Sequence, residues 1–169
     1  DTYRLAGGRD AALLLHSEKA GQRAIGDLGR AARSDRSANG LHGVPARVMP
    51  LALWHTASVG LDLWLLALAQ GASQVMVLLT SEEAPEYRQA LAEQMAVGQA
   101  ILEGLGYGSG HLCLLELRDA RDLPALDRAL RVPPARTVRQ PLAAVAQADK
   151  RNTLDLAIEH LRQHAPQPA

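Results

Sequence analysis

The stretch Asp62-Leu63-Trp64-Leu65-Leu66-Ala67-Leu68-Ala69-Gln70-Gly71-Ala72-Ser73-Gln74-Val75-Met76-Val77-Leu78-Leu79-Thr80-Ser81-Glu82 decides the fold. Nineteen residues between Asp62 and Glu82 carry no formal charge, and that length could in principle cross a bilayer. Gln70-Gly71-Ala72-Ser73-Gln74 breaks the run at its middle, however, and the two halves differ in period and composition. Leu61, Leu65 and Leu68 recur at helical spacing before the break, whereas Gln74 to Leu79 is a short, nearly continuous apolar run after it. The stretch therefore reads as the end of a helix, a turn and a buried strand, with no membrane span.

Three further runs resemble the second half of that stretch: Ala11 to Leu15, Val44 to Leu53 and His111 to Leu117. Each is too short for a helix of its own, and strands buried on both faces in parallel sheets have this composition. Helical stretches separate them. Ser17 to Arg33 places Ala20, Ala24, Leu28 and Ala31 or Ala32 on one side and ends in the polar loop Ser34 to Gly43. Ala57 to Gln70 stops at Gly71, and Ala84 to Leu105 carries Pro85 in its first turn before Gly104 and Gly106. The alternation predicts a three-layer α/β domain over residues 1–169, flavodoxin- or Rossmann-like, with a mostly parallel sheet of four to five strands and helices on both faces.

After the fourth strand, Arg121 to Arg131 predicts a short helix closed by Pro133-Pro134. Arg136 to Gln147 shows no clear period and reads as an extended excursion or a fifth edge strand. Thr153 to His164 predicts a final helix with Asn152 as N-cap and Asp155 three residues on. Residues 165–169 read as the start of a linker. Asp1 is not an initiator Met, so the chain is expected to begin inside a longer polypeptide or after a cleaved segment.

Composition bounds the chemistry. Of 169 residues, 47% are hydrophobic and 21% charged, and 18 Lys+Arg balance 18 Asp+Glu. That suits one soluble domain, and the neutral balance removes the electrostatic drive toward nucleic acid or anionic lipid. Thirty Ala and twenty-nine Leu with no Phe imply an aliphatic core. The single cysteine, Cys113, excludes an internal disulfide or an all-cysteine metal site within this chain, and its place in the fourth strand suits a small buried hydrophobe.

Ligands of open parallel sheets collect at the strand carboxyl ends, beside helix N-termini. Those ends fall at His16-Ser17-Glu18, His55-Thr56-Ala57-Ser58, Thr80-Ser81-Glu82-Glu83 and Glu116-Arg118-Asp119. His16, His55, Ser58 and Ser81 are thus the candidate pocket residues. Ser17, Thr56 or Ser58, and Ser81 also suit a plain capping role, worth about 1 kcal/mol each. The glycines of Gly104 to Gly110 follow a helix and precede a strand, the reverse of a dinucleotide site, and read as a helix stop and turn. His160 and His164, four apart on the last helix, read as a solvated face, and no metal ligand or catalytic residue is assigned.

Arg47-Val48-Met49-Pro50-Leu51, His55-Thr56-Ala57-Ser58-Val59-Gly60-Leu61-Asp62, Leu66 to Val75 and Asp149 to Ala157 together resemble the central region of proteobacterial 4Fe-4S ferredoxin-like proteins. In that group an α/β domain is flanked by cysteine-rich cluster modules. More distantly, the strand–helix–strand core and Leu102-Glu103-Gly104-Leu105-Gly106-Tyr107 are similar to the delta subunit of methyl-viologen-reducing hydrogenases. Delta-type subunits carry cysteines at the turns after the second and third strands. This chain has His55 and Thr80-Ser81 there, so no cluster ligand carries over.

The resemblance implies a non-catalytic scaffold or docking domain of a cytoplasmic iron–sulfur electron-transfer protein. It implies no cofactor in this chain, 4Fe-4S clusters in flanking segments, and redox partner proteins or cluster modules as partners. The alternative from the residues alone is a small-molecule or nucleotide-binding domain with its ligand at the strand carboxyl edge. Association of like chains through Leu-rich helix faces is a further expectation.

Overall fold

The computed structural model describes residues 2–34, 40–132, 138–146 and 149–166. Four parallel strands, β1 (Ala12–Ser17), β2 (Val48–Leu53), β3 (Gln74–Leu79) and β4 (Leu112–Glu116), lie in the order β2-β1-β3-β4. A short helix α1 (Thr2–Leu5) precedes them, and α2 (Ala20–Ser34), α3 (Leu61–Ala69), α4 (Pro85–Gly104), α5 (Leu123–Ala129) and α6 (Lys150–Gln163) complete the chain. The predicted three-layer α/β architecture is the one found, with helices on both faces.

The break at Gln70–Ser73 does what its residues require. Helix α3 ends at Ala69, Gly71 takes φ 96°, and β3 begins at Gln74. Among the described residues no helix is long and apolar enough to cross a membrane.

All six residues of β3 are buried, which explains their nearly continuous apolar character. Register puts Val75, Val77 and Leu79 on the face shared with Leu13, Leu15, Leu112 and Leu114, under α3, α4 and α6. Met76 and Leu78 face the other way, with Ala12, Leu14 and Val48, under α2 and α5. Each fully buried Val, Leu or Met side chain among them contributes about 1.5–3 kcal/mol on burial. Helix α3 is apolar nearly all round because it lies between the sheet and α6; its Trp64 is fully buried with an indole N–H that meets no acceptor.

The later chain departs from expectation in three places. Residues 138–146 form no strand: Leu142 N–H donates to Ala69 O at the end of α3, Gln70 donates to Ala144 O, and Val138 is buried in the α3 side of the core. Their backbone polar groups thus meet a helix end instead of the β4 edge; the rest of Arg136 to Gln147 lies outside the described residues. Helix α6 starts at Lys150, capped by Asp149, whose carboxylate accepts from Arg151 N–H at 2.8 Å, so Asn152 lies inside the helix rather than capping it. Helix α5 is preceded by a 3-10 turn, Ala120–Asp122, capped by Asp119. Pro133-Pro134, residues 35–39 of the Ser34–Gly43 loop and residues 167–169 of the expected linker lie outside the described residues.

Two polar clusters fasten the layers. At the amino edge of the sheet Arg47 donates to Gln74 Oε1 (2.8 Å) and to Leu130 O (3.0 Å) after α5, while Gln74 donates to Gly110 O (2.9 Å). Buried Asp127 of α5 accepts from His42 and Gly43 N–H at 3.0 and 2.9 Å and pairs with Arg131 at 3.2 Å. Burial alone would raise the Asp127 pKa, but Arg131 and the two backbone donors outweigh it and hold the carboxyl below its ordinary value.

Two predictions follow from these contacts. A Cβ on Gly21 would stand 2.8 Å from His16 Cβ, whereas one on Gly29 meets nothing within 4 Å. Gly29→Ala should stabilise the fold by about 0.5–1 kcal/mol through helix propensity, and Gly21→Ala should destabilise it, as read by urea denaturation. For Asp127, whose native pKa is depressed, the stabilisation is present above the unfolded value of about 3.9 and is lost as pH falls through the native one. Asp127→Asn should cost about 1–3 kcal/mol at pH 7, and the gap to the parent chain should close as denaturation is repeated toward pH 3.

Candidate functional site

The chain winds outward from the adjacent pair β1 and β3 in opposite directions, so their carboxyl ends form the switch point where doubly wound sheets bind ligands. Each end is a short polar turn feeding a helix. After β1, Ser17 Oγ accepts from Gly21 N–H at 2.9 Å, the capping role expected of it. It also donates to Glu82 Oε2 at 3.1 Å, and the same oxygen accepts from Ala20 N–H at 3.2 Å. Glu82 arrives from the turn after β3. Its carboxylate therefore sits on the α2 N-terminus, where the helix dipole favours negative charge. Arg23 stands 3.9 Å away, a loose pair in solvent.

The next residue turns inward. Glu83 is buried, and its Oε2 accepts from Thr80 N–H (2.6 Å) and Thr80 Oγ1 (3.1 Å), its Oε1 from Thr56 Oγ1 (3.1 Å). Arg88 of α4 secures the turn from outside through Thr80 O at 2.6 Å and Glu83 O at 3.0 Å, and approaches Glu116 at 3.5 Å. Glu82 and Glu83 thus hold the ends of β1, β2 and β3 together by hydrogen bonds that these turns supply themselves.

The four sequence-predicted pocket residues all fall at this edge, in different settings. His16 is fully buried on the α2 side, and its Nδ1–H donates to Ser17 O at 2.9 Å. His55 and Ser58 share the 3-10 turn Thr56–Ser58: His55 Nδ1 accepts from Ala57 N–H at 3.1 Å, and Ser58 Oγ donates to His55 O at 2.6 Å. The His55 ring stands edge-on to Tyr87 at 5.2 Å. Ser81 is exposed, and its hydroxyl makes no hydrogen bond among the described residues.

Of the expected caps only Ser17 acts as one. Helix α3 starts after Gly60 and α4 after Ala84, neither with a side-chain cap, because the Thr56 hydroxyl is committed to Glu83 and Ser58 to His55. Of the residues that organise the edge, Thr80, Glu82 and Glu83 were visible in sequence only as polar residues beside a strand end, Thr56 also as a possible cap, and Arg88 of α4 not at all.

Cys113 lies half-buried on the α5 side of β4; burial pushes its thiol pKa up, with Arg47 acting the other way. Among the described residues no three of His, Cys, Asp and Glu stand close enough together to hold a metal ion. The larger described cavity, about 980 Å³, opens at the opposite edge of the sheet, between Tyr3, Leu13, Met49, Ala67 and Leu142.

No protein-family model and no curated protein matches this chain. What the fold and the edge define is a class: a doubly wound α/β domain whose switch point is occupied by its own acidic side chains.

Thr56→Val removes a donor from buried Glu83 at nearly constant volume and should cost about 1–3 kcal/mol in denaturation midpoint analysis. Ser58→Ala, at an exposed hydroxyl, should stay within about 0.5 kcal/mol of the parent chain.

Proposed function

We propose that this domain is a non-catalytic scaffold in a cytoplasmic iron–sulfur electron-transfer protein, a docking body for 4Fe-4S modules carried by flanking segments. The observation that carries the scaffold reading is the Glu82 carboxylate on the α2 N-terminus: the position where a doubly wound fold would hold a substrate's anion is held by the chain itself. The iron–sulfur part rests on the likeness of residues 47–51, 55–62, 66–75 and 149–157 to the central region of 4Fe-4S ferredoxin-like proteins. A spacer for electron transfer needs no acid–base pair.

The edge strand β2 supplies a docking face. Met49 and Leu51, 41% and 49% exposed, stand in one row on the α3 side of the sheet, and the strand runs on into Trp54, 80% exposed. Backbone pairing is disfavoured at its outer edge, because Val48 N–H is engaged by Pro45 O and Pro50 has no N–H. Recognition would therefore run through side chains, with Trp54 as the aromatic anchor.

The test is the protein encoded by the complete gene. Purified anaerobically, it should show the broad visible absorption of thiolate-bound clusters and a reducible paramagnetic signal, while Leu51→Asp with Trp54→Ala should expose the cluster modules to faster proteolysis. Flanking sequence without cysteine clusters, or a colourless protein with no iron, would overturn the reading.

A further inference from the structure

Helix α6 ends in His160-Leu161-Arg162-Gln163-His164, two imidazoles one turn apart on one side of the helix. Sequence reading alone leaves them as a solvated face. In the structure both are half-buried, and their rings lie 4.4 Å apart between centroids, tilted by 48°.

His160 Nε2 lies 2.8 Å from Gln140 O. A carbonyl oxygen only accepts, so Nε2 carries the hydrogen and the neutral ring keeps its lone pair on Nδ1. Histidines that ligate metals commonly donate their other ring N–H to a carbonyl or carboxylate in this way, which fixes the tautomer and orients the ring. The His164 ring makes no hydrogen bond among the described residues.

We propose that His160 and His164 form an exchangeable two-imidazole site for a late first-row divalent cation such as zinc, His160 ligating through Nδ1 and water filling the remaining positions. Nitrogens sharing a tetrahedral zinc at about 2.1 Å each stand about 3.4 Å apart, a separation compatible with rings whose centroids lie 4.4 Å apart. The site lies at a helix C-terminus, where the dipole favours positive charge. The acid next to the pair in sequence, Glu159, is occupied by Arg162 at 2.8 Å and Gln163 at 2.8 Å, so the site has two protein ligands rather than the four of a structural zinc centre. Bound metal would join the end of α6, through the His160–Gln140 bond, to the 138–146 segment packed against α3.

Zinc chloride titrated calorimetrically into the untagged chain should show one saturable site in the micromolar range, with affinity lowered about tenfold or more by His160→Ala or by His164→Ala. Proton NMR of the parent chain supplies a readout independent of any variant's folding. Substoichiometric zinc should shift or broaden the His160 and His164 ring signals together and before those of His42 and His55. No saturable binding at millimolar zinc, affinity unchanged in either variant, or ring signals of the pair that respond no earlier than the others would each overturn the assignment.

Discussion

A strand buried on both faces has to be covered on both faces, and β3 imposes that condition on the whole chain. Its side chains alternate between a layer made by α3, α4 and α6 and a layer made by α2 and α5. Removing either layer would expose roughly half of the central apolar surface. Parallel pairing adds a second demand, since each strand must return through a crossover long enough to hold a helix. The three-layer architecture follows from those two requirements together, and the aliphatic core without Phe is what fits between the layers.

The same geometry concentrates polar backbone at the carboxyl ends of β1 and β3, where helix N-termini and strand ends leave N–H groups to be satisfied. This chain answers with side chains of its own: Glu82 outward onto α2, Glu83 inward onto Thr80 and Thr56. Adjacent residues in one turn thus serve opposite sides of the switch point. A buried carboxyl group is costly to leave unpaired, so these turns are specified closely by their surroundings.

Much of the fold was legible in the chain. The four apolar runs from Ala11, Val44, Gln74 and His111 became the four strands with boundaries shifted by a few residues, because an apolar run between turn residues has few alternatives. The misreadings occur where a hydroxyl or amide has more than one possible partner. Thr56, Ser58 and Ser81 have the residue types of N-caps, yet only Ser17 caps; Asn152 gave way to Asp149, whose carboxylate reaches the α6 N–H groups three residues earlier. Residues 138–146 read as an extended excursion or an edge strand; they form no strand, and their hydrogen bonds go to the end of α3.

Local residue pattern was sufficient to set the four strands, the longer helices and that the sheet is parallel, since periodicity, run length and glycine placement act within a turn or two of the chain, but it did not show the short helix α1. It also placed His16, His55, Ser58 and Ser81 at one edge. Which of these is sealed and which faces solvent, that Glu82 rather than a ligand lies on α2, and that His160 is oriented by Gln140 were decided only by the tertiary structure. Those outcomes depend on atoms brought together across 65 and 20 residues of sequence, and no pattern along the chain encodes a distance of that kind.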